Sequence, residues 1–266
     1  MNKLIVKKPV VKFIVKSEKN TYENILLFFQ NDRDIYQNSS ELIANHFEMD
    51  INFFKHKSRK SRLDYIKEKV KPFYDKNIKA IENSVINYQE EWDKHQNRIF
   101  EEFSTIFNLS YKGSRECLGE ININPVCPRF YDDWSFDVSF SDISNVIETT
   151  LHELTHFFWF DKWKTVFPDW KRSDFESPSL VWLFSEIAID AIFKNTWFKK
   201  LSSEKPAYDC FYNIEINGLN MLDYLNTLFK KNTIEDFMKK GYEYIKSNKK
   251  LIMEKIFKYR MLAEKF

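Results

Sequence analysis

Glycine and long apolar runs are both scarce in this chain. Only four of its 266 residues are glycine. Glycine supplies the positive φ angles of tight turns and lets a backbone approach a phosphate closely, so its scarcity disfavours a Gly-rich phosphate loop. It also disfavours a barrel or sandwich dense in tight turns. No apolar run approaches the roughly 20 residues of a transmembrane helix, so we expect no membrane partner.

The start of the chain and its cysteines indicate where the protein acts. Lysines interrupt the apolar runs of residues 1–20 before the apolar core of a signal peptide can form. The three cysteines, Cys117, Cys127 and Cys210, are an odd number at scattered spacing. That usage is typical of reduced thiols. Together these features predict a cytoplasmic location.

The charge balance argues against a nucleic-acid partner. The chain has 41 Lys and Arg residues against 39 Asp and Glu residues, which leaves a formal net charge of +2. A nucleic-acid-binding domain is usually strongly basic, because it must neutralise phosphates. The hydrophobic fraction of 43% and the aromatic fraction of 17% are those of a globular protein.

Helical periodicity dominates the sequence, and short strands accompany it. Apolar residues recur near the 3.6-residue period over residues 62–108, where Pro72 is expected to kink or divide the helix. Residues 3–15 alternate loosely and predict one or two short strands, and residues 118–124 predict another. The sequence therefore predicts an α+β fold that is predominantly helical, with a small mixed sheet.

A strand and a helix are predicted next to each other in the middle of the chain. Residues 135–140 alternate between apolar and polar side chains, which is the pattern of a half-buried strand. Ser141 or Asp142 can cap a helix that runs from residue 143 to about residue 160. The strand could hold an extended peptide at its edge, or it could simply pair within the sheet.

A second helix follows an irregular stretch. Ser177 as N-cap and Pro178 at the first helical position predict a helix over residues 178–193. The chain is accordingly divided into an N-terminal subdomain, residues 1–140, which ends in the edge strand, and a C-terminal subdomain, residues 141–266. The second subdomain holds both helices.

The first of these helices contains the sequence HELTH, residues 152–156. Positions i and i+4 share one face of a helix, so the imidazoles of His152 and His156 can reach one metal ion. Glu153 follows the first histidine, where its carboxylate can act as a general base on a water molecule. This is the HExxH arrangement of zinc hydrolases.

A catalytic zinc ion needs a third protein ligand and an open position. No histidine follows His156 in the sequence, so a carboxylate must serve. Glu176 lies in the irregular stretch, whereas Glu186 lies inside the second helix with Asp190 four residues later. A ligating histidine usually donates its other ring N–H to a carboxylate, and Asp190 is placed to accept it. The sequence favours Glu186 as the third ligand.

HELTH at residues 152–156 followed by SEIAID at residues 185–190 resembles the gluzincin pattern of thermolysin-like metallopeptidases. The resemblance covers about residues 135–193. This chain departs from the family pattern at two points. The segment between the ligands is longer than in thermolysin, and Ser185 occupies the position before the ligand Glu, where the family often has Asn. A looser similarity connects the chain with small cytosolic HExxH proteins of the ImmA/IrrE type, which cleave regulator proteins.

The resemblance implies a zincin-like fold, in which the small mixed sheet lies beside the HExxH helix. It implies one zinc ion per chain and the hydrolysis of peptide bonds in a peptide or protein substrate, by an endopeptidase or an aminopeptidase. The implied roles are zinc ligation by His152, His156 and Glu186, general base catalysis by Glu153, and support of a ligand by Asp190.

Stabilisation of the oxyanion needs a further donor. In gluzincins a Tyr or His from the C-terminal half usually supplies it, and no His remains there. Tyr208, Tyr212 and Tyr224 are the options, and Tyr212 is slightly favoured.

Two other functional classes stay open at this stage. The chain could be a zinc-fold regulatory or partner-binding protein with little or no proteolytic activity. It could also be a helical interaction protein in which residues 62–108 act and HELTH is accidental. The sequence indicates no oligomeric state.

Overall fold

The computed structural model describes residues 3–29, 39–141 and 144–263. Its strands are short apart from the first two. They are β1 (Leu4–Val15), β2 (Leu109–Asn122), β3 (Arg129–Phe130), β4 (Ser135–Ser139), β5 (Glu215–Ile216) and β6 (Leu219–Asn220).

Helices account for most of the described residues, as the sequence predicts. They are α1 (Glu18–Leu27), α2 (Ser39–His46), α3 (Arg59–Ile106), α4 (Val146–Val166), α5 (Leu180–Asn195), α6 (Asp209–Tyr212), α7 (Met221–Lys231), α8 (Ile234–Ser247) and α9 (Lys249–Ala263). Short 3₁₀ turns cover Ile51–Phe54, Arg172–Phe175 and Trp197–Lys200. Among the helices of the described part, none combines the length and the apolar character that crossing a membrane requires.

The main sheet is mixed and has the strand order β1-β2-β4-β3. β2 and β4 run parallel, in a register that pairs Leu118 with Ser135, and β3 runs antiparallel to β4. The α+β class, predominantly helical with a small mixed sheet, is therefore confirmed. β4 lies between β2 and β3. The prediction that residues 135–140 form an edge strand is therefore wrong at Ser135 and Phe136, which pair with β3.

The polar face of β4 is buried and not solvated. Asp137 has no exposed surface. Its carboxylate accepts hydrogen bonds from Lys16 Nζ at 2.8 Å and from Asn24 Nδ2 at 3.1 Å. Burial raises the pKa of Asp137 to about 6, and these two donors oppose the rise. Alternation in the sequence predicts which residues share a face, but paired polar side chains can bury that face too.

A side chain covers the outer edge of the sheet at β1. Gln89, on α3, accepts a hydrogen bond from the Phe13 backbone N–H at 3.1 Å and donates one to the Val11 carbonyl at 3.3 Å. Its amide thus bonds β1 much as a neighbouring strand would. Exposed strand edges invite pairing with other chains, and this contact blocks that pairing at two positions.

Helix α3 continues through Pro72 without interruption. Ile66, Val70, Tyr74 and Ile81 are buried and recur at helical spacing on both sides of the proline. Packing of this apolar face outweighs the backbone hydrogen bond that proline removes. The prediction that Pro72 could divide the helix is wrong.

A tight hairpin connects α6 with α7. Asn217 and Gly218 both have positive φ, 52° and 78°, between the paired strands β5 and β6. Positive φ at both central residues is the geometry of a type I′ turn, for which Asn-Gly is the preferred pair. Asn220 then caps α7, because its side chain accepts hydrogen bonds from two backbone N–H groups of the first turn.

The fold divides into two compact units. One comprises Met1–Lys8, Gln96–Gly113 and Leu151–Phe266, and the other comprises Pro9–His95 and Ser114–Thr150. All the predicted site residues lie in the range Leu151–Phe266 of the first unit. The prediction of subdomains 1–140 and 141–266 stays a prediction.

Close packing of α8 on α5 makes Gly241 sensitive to substitution. A Cβ atom at Gly241 would lie 2.5 Å from Cζ of Phe184, whose ring is fully buried. We expect Gly241→Ala to lower the free energy of unfolding by about 1–2 kcal/mol, because overpacking outweighs the gain of roughly 1 kcal/mol in helix propensity. Urea unfolding measures this. Adding Phe184→Leu should reduce the penalty of Gly241→Ala, and an alanine that stabilises the chain would contradict the contact.

Candidate metal centre

Helix α4 carries the HELTH motif in its interior. It spans Val146–Val166, about a turn and a half beyond the predicted end. The predicted cap Asp142 and the predicted first residue Ile143 lie outside the described residues. From residue 153 to residue 160 every side chain is buried, whereas His152 is partly exposed. The motif therefore lies on a core helix that reaches solvent at His152.

Helix α5 brings a carboxylate to the same place. It spans Leu180–Asn195, and its N-cap is Ser179, whose Oγ accepts a hydrogen bond from Trp182 N at 3.0 Å. The prediction of Ser177 as N-cap is wrong by two residues. α5 is almost wholly apolar and buried, yet Glu186 is only 2% exposed and Asp190 is fully buried. Carboxylates are rarely buried in this way unless they are paired, so both call for partners.

Three side chains converge at this position. Nε2 of His152 lies 3.0 Å from Nε2 of His156 and 3.2 Å from Oε2 of Glu186. Oε1 of Glu186 lies 3.3 Å from Nε2 of His156. In the described residues these three form the group of possible ligands whose atoms lie within 4.8 Å of one another. The structure thus brings together the three residues that the sequence predicts as ligands.

The three separations fit a small tetrahedral ion. Zinc binds imidazole nitrogen and carboxylate oxygen at about 2.0–2.2 Å, so two ligand atoms of a zinc tetrahedron lie roughly 3.3–3.5 Å apart. The two nitrogens lie 3.0 Å apart, and they lie 3.2 and 3.3 Å from the two different oxygens of Glu186, so each separation is close to that value although no single oxygen makes both contacts. Two nitrogens and one oxygen are also a donor set that catalytic zinc sites use.

Glu186 is held in its charged form. Burial opposes ionisation of its carboxyl group and raises its pKa, but attraction to His156 and hydrogen bonds with both histidines lower it more. The net result is a pKa well below the ordinary value. Ionised Glu186 therefore stabilises the metal-free fold above the unfolded-state pKa of about 4.3, and this stabilisation is lost as the pH falls through the folded-state pKa.

The competing carboxylate lies elsewhere. Glu176 follows the 3₁₀ turn Arg172–Phe175, and its Oε1 lies 2.8 Å from a guanidinium nitrogen of Arg172. Its side chain is 46% exposed, whereas that of Glu186 is 2% exposed. Glu176 does not belong to the group formed by the two histidines.

An aromatic stack packs against one of the histidines. The ring of Phe160 lies nearly parallel to that of His156, at 5.9 Å between centroids. Phe175 in turn stacks on Phe160, at 4.3 Å between centroids. Because all three rings are fully buried, the stack limits rotation of the His156 imidazole. Glu153, next to His152 on α4, is also buried.

Asp190 has partners other than the predicted one. Its Oδ1 accepts a hydrogen bond from the Tyr212 hydroxyl at 2.7 Å and lies 2.8 Å from Nζ of Lys194. Its Oδ2 accepts from Asn226 Nδ2 at 2.8 Å. None of these three partners is a histidine, so the support of a ligating histidine by Asp190 stays a prediction.

Tyr212 is connected to helix α5 by a hydrogen bond to Asp190, four residues after Glu186. Its hydroxyl donates to Asp190 and accepts a hydrogen bond from Ala207 N at 3.2 Å. Burial and the bond to Asp190 raise the pKa of Tyr212, so the hydroxyl keeps its proton. That single proton is engaged with Asp190 in this arrangement. The role of Tyr212 as an oxyanion donor stays a prediction that requires this hydrogen bond to break.

The two other tyrosine candidates pack against different aromatic rings. Tyr208 lies against Phe211 at 5.7 Å between centroids. Tyr224 lies against Tyr244 at 4.2 Å, where α7 meets α8. Neither ring contact involves the histidines or Glu186.

Two of the residues around Asp190 are missed by reasoning from the sequence. Lys194 lies four residues after Asp190 on α5, and this i,i+4 spacing of opposite charges could have identified it. Asn226 lies in the middle of α7, where Asn is unfavourable without a tertiary partner. That local misfit indicates an unusual role but does not name Asp190.

Comparison of the chain with family models, with curated proteins and with solved structures finds no match.

Proposed function

We propose that this protein is a zinc-dependent metallopeptidase with a zincin-like fold, as the gluzincin resemblance of residues 152–156 and 185–190 implies. The observation that carries the proposal is the convergence of His152, His156 and Glu186 from two buried helices, with mutual separations of 3.0, 3.2 and 3.3 Å. Such separations suit one zinc ion per chain.

In the proposed hydrolysis the zinc ion and the residues of the chain have separate roles. When bound, zinc lowers the pKa of its water and polarises a substrate carbonyl. Glu153 is the general base: its carboxylate takes a proton from the attacking water and delivers it to the leaving amine. His152 is the partly exposed ligand, so the substrate approaches from its side of α4.

A catalytic rather than a structural ion is favoured by the number of ligands. Structural zinc sites are closed by four protein ligands, whereas catalytic sites have three and one open position. Within residues 3–29, 39–141 and 144–263 the group holds two histidines and one carboxylate. Glu153, a buried carboxylate that follows His152 in the sequence, has a use in hydrolysis and none in a closed site.

The proposal includes a peptide or protein substrate and action in the cytoplasm. The second part rests on the three scattered cysteines, which are typical of reduced thiols. Endopeptidase and aminopeptidase activity are both compatible with the three ligands.

A peptide-library digestion tests this function. The full chain, purified without added zinc, should cleave a subset of the peptides. Cleavage should stop with a chelator and return when zinc is restored. A chain that binds zinc and cleaves no peptide or protein substrate contradicts the peptidase and favours a partner-binding protein with the same site. A chain that binds no zinc contradicts both.

A further inference from the structure

The fully buried carboxylate of Asp190 joins three helices near the candidate metal centre. It lies on α5, four residues after Glu186, and accepts hydrogen bonds from Tyr212 on α6 and Asn226 on α7. We propose that Tyr212 and Asn226 are positioning residues for Glu186, and that they act through Asp190. This inference rests on the proposed metal site, because its effect is on the placement of one ligand.

Helix geometry connects Asp190 with Glu186. Residues four apart on an α-helix lie on one face, about one turn from each other. If the Asp190 carboxylate is held in place, α5 can neither rotate about its axis nor slide along it at this turn. The position of Glu186 is then fixed as well. A metal site is sensitive to such changes, because a ligand must stay within about 0.5 Å of its working position.

The two donors hold different oxygens of Asp190. Tyr212 donates to Oδ1 at 2.7 Å, and Asn226 donates to Oδ2 at 2.8 Å. With both oxygens bonded to separate helices, the carboxylate can neither rotate nor shift freely. Lys194 adds charge at 2.8 Å, but its side chain is 38% exposed and it lies on α5 itself. It places a positive charge beside Asp190 and lies over the Tyr212 ring at 4.8 Å, but it makes no hydrogen bond from another helix to the carboxylate.

The amide of Asn226 is itself held in one orientation. Its Nδ2 donates to the Leu222 carbonyl at 2.8 Å as well as to Asp190. Its Oδ1 accepts from Asn195 Nδ2 at 2.6 Å, and Asn195 is the last residue of α5. α7 is therefore bonded to α5 at two points, Asp190 and Asn195.

The connection between α6 and α7 joins the two donors. Asn220, the N-cap of α7, donates from Nδ2 to the Tyr212 carbonyl at 2.8 Å. The Met221 N–H donates to the Ile214 carbonyl at 2.8 Å. Tyr212 and Asn226 thus belong to one bonded assembly of α6, the hairpin and α7, and this assembly holds α5 at Asp190.

Zinc affinity of single variants of the full chain tests the inference. Tyr212→Phe and Asn226→Ala each remove one donor to Asp190. Asn232→Ala is the matched control, because Asn232 makes the same bond to the carbonyl four residues earlier, Leu228, at 2.7 Å but contacts Lys240 instead of Asp190. Measurements are zinc competition with a chromophoric chelator, the absorption bands of the Co²⁺ form, and the melting temperature of the metal-free chain.

We expect Tyr212→Phe and Asn226→Ala to weaken zinc binding about 3–10-fold, less than the 10–100-fold that follows loss of a direct partner of a metal ligand, because they hold Glu186 only through Asp190. Their Co²⁺ bands should change in position or intensity, and Asn232→Ala should match the parent chain in both measurements. If zinc affinity stays within about twofold and the Co²⁺ bands are unchanged while the metal-free melting temperature falls, the network only stabilises the fold and the inference is wrong. Failure of the parent chain to bind zinc would instead contradict the metal site itself.

Discussion

Glu153→Gln is expected to lower kcat by about 10²–10⁴-fold and to leave one zinc ion bound. The range is the usual contribution of general acid–base catalysis. Glutamine keeps the size and the hydrogen-bonding oxygen of Glu153 but cannot take a proton, and Glu153 is not among the three converging ligands. The measurements are zinc content and turnover of a peptide that the parent chain cleaves.

Asp161→Asn is the matched control for this prediction. Asp161 lies on the same helix, α4, and its Oδ1 accepts a hydrogen bond from Lys164 at 2.6 Å. It is not one of the three converging residues, His152, His156 and Glu186. It should retain both zinc and turnover. Equal turnover of Glu153→Gln and the parent chain would remove Glu153 from the mechanism, and loss of zinc from Glu153→Gln would mean that it acts as a ligand.

Glu186→Ala is expected to abolish stoichiometric zinc binding. It removes the one oxygen donor of the group, and the two remaining imidazoles come from a single helix. Zinc at a concentration 1,000 times its Kd should stabilise the parent chain by about 4 kcal/mol, whereas Glu186→Ala should gain almost nothing. Zinc titration and melting temperatures with and without zinc measure the two effects.

Glu176→Ala is the control, because Glu176 is the other carboxylate in the same stretch of sequence. It should bind zinc as the parent chain does, since its carboxylate is exposed and paired with Arg172. The opposite result, zinc loss from Glu176→Ala and retention by Glu186→Ala, would exchange the two assignments.

The sequence predicts that His152, His156 and Glu186 come together, and most of that prediction rests on local geometry. His152 and His156 are brought together by the period of a single helix. Glu186 needed one further step, the choice of a carboxylate inside a helix, with Asp190 four residues later, over Glu176 in the irregular stretch. The ends of that helix were less predictable: serines at 177 and 179 flank a proline, and the serine after the proline is the N-cap.

The environment of Asp190 and the position of β4 could not be predicted in the same way. Asn226 lies 36 residues from Asp190, and their contact depends on how α7 packs against α5. Likewise, the pairing of Asp137 with Lys16 buries a face that alternation predicts to be wet. Both depend on tertiary contacts between distant residues, which no local pattern encodes.

The most direct test of the metal site is X-ray absorption at the zinc edge of the purified full chain. We expect one zinc ion per chain with nitrogen and oxygen ligands at about 2.0–2.1 Å, and the outer-shell scattering of two imidazoles. Glu186→Ala should lose this spectrum. A sulfur ligand at about 2.3 Å, which would come from Cys117, Cys127 or Cys210, or a chain that carries no zinc at all, would contradict the assignment of His152, His156 and Glu186 as the ligands.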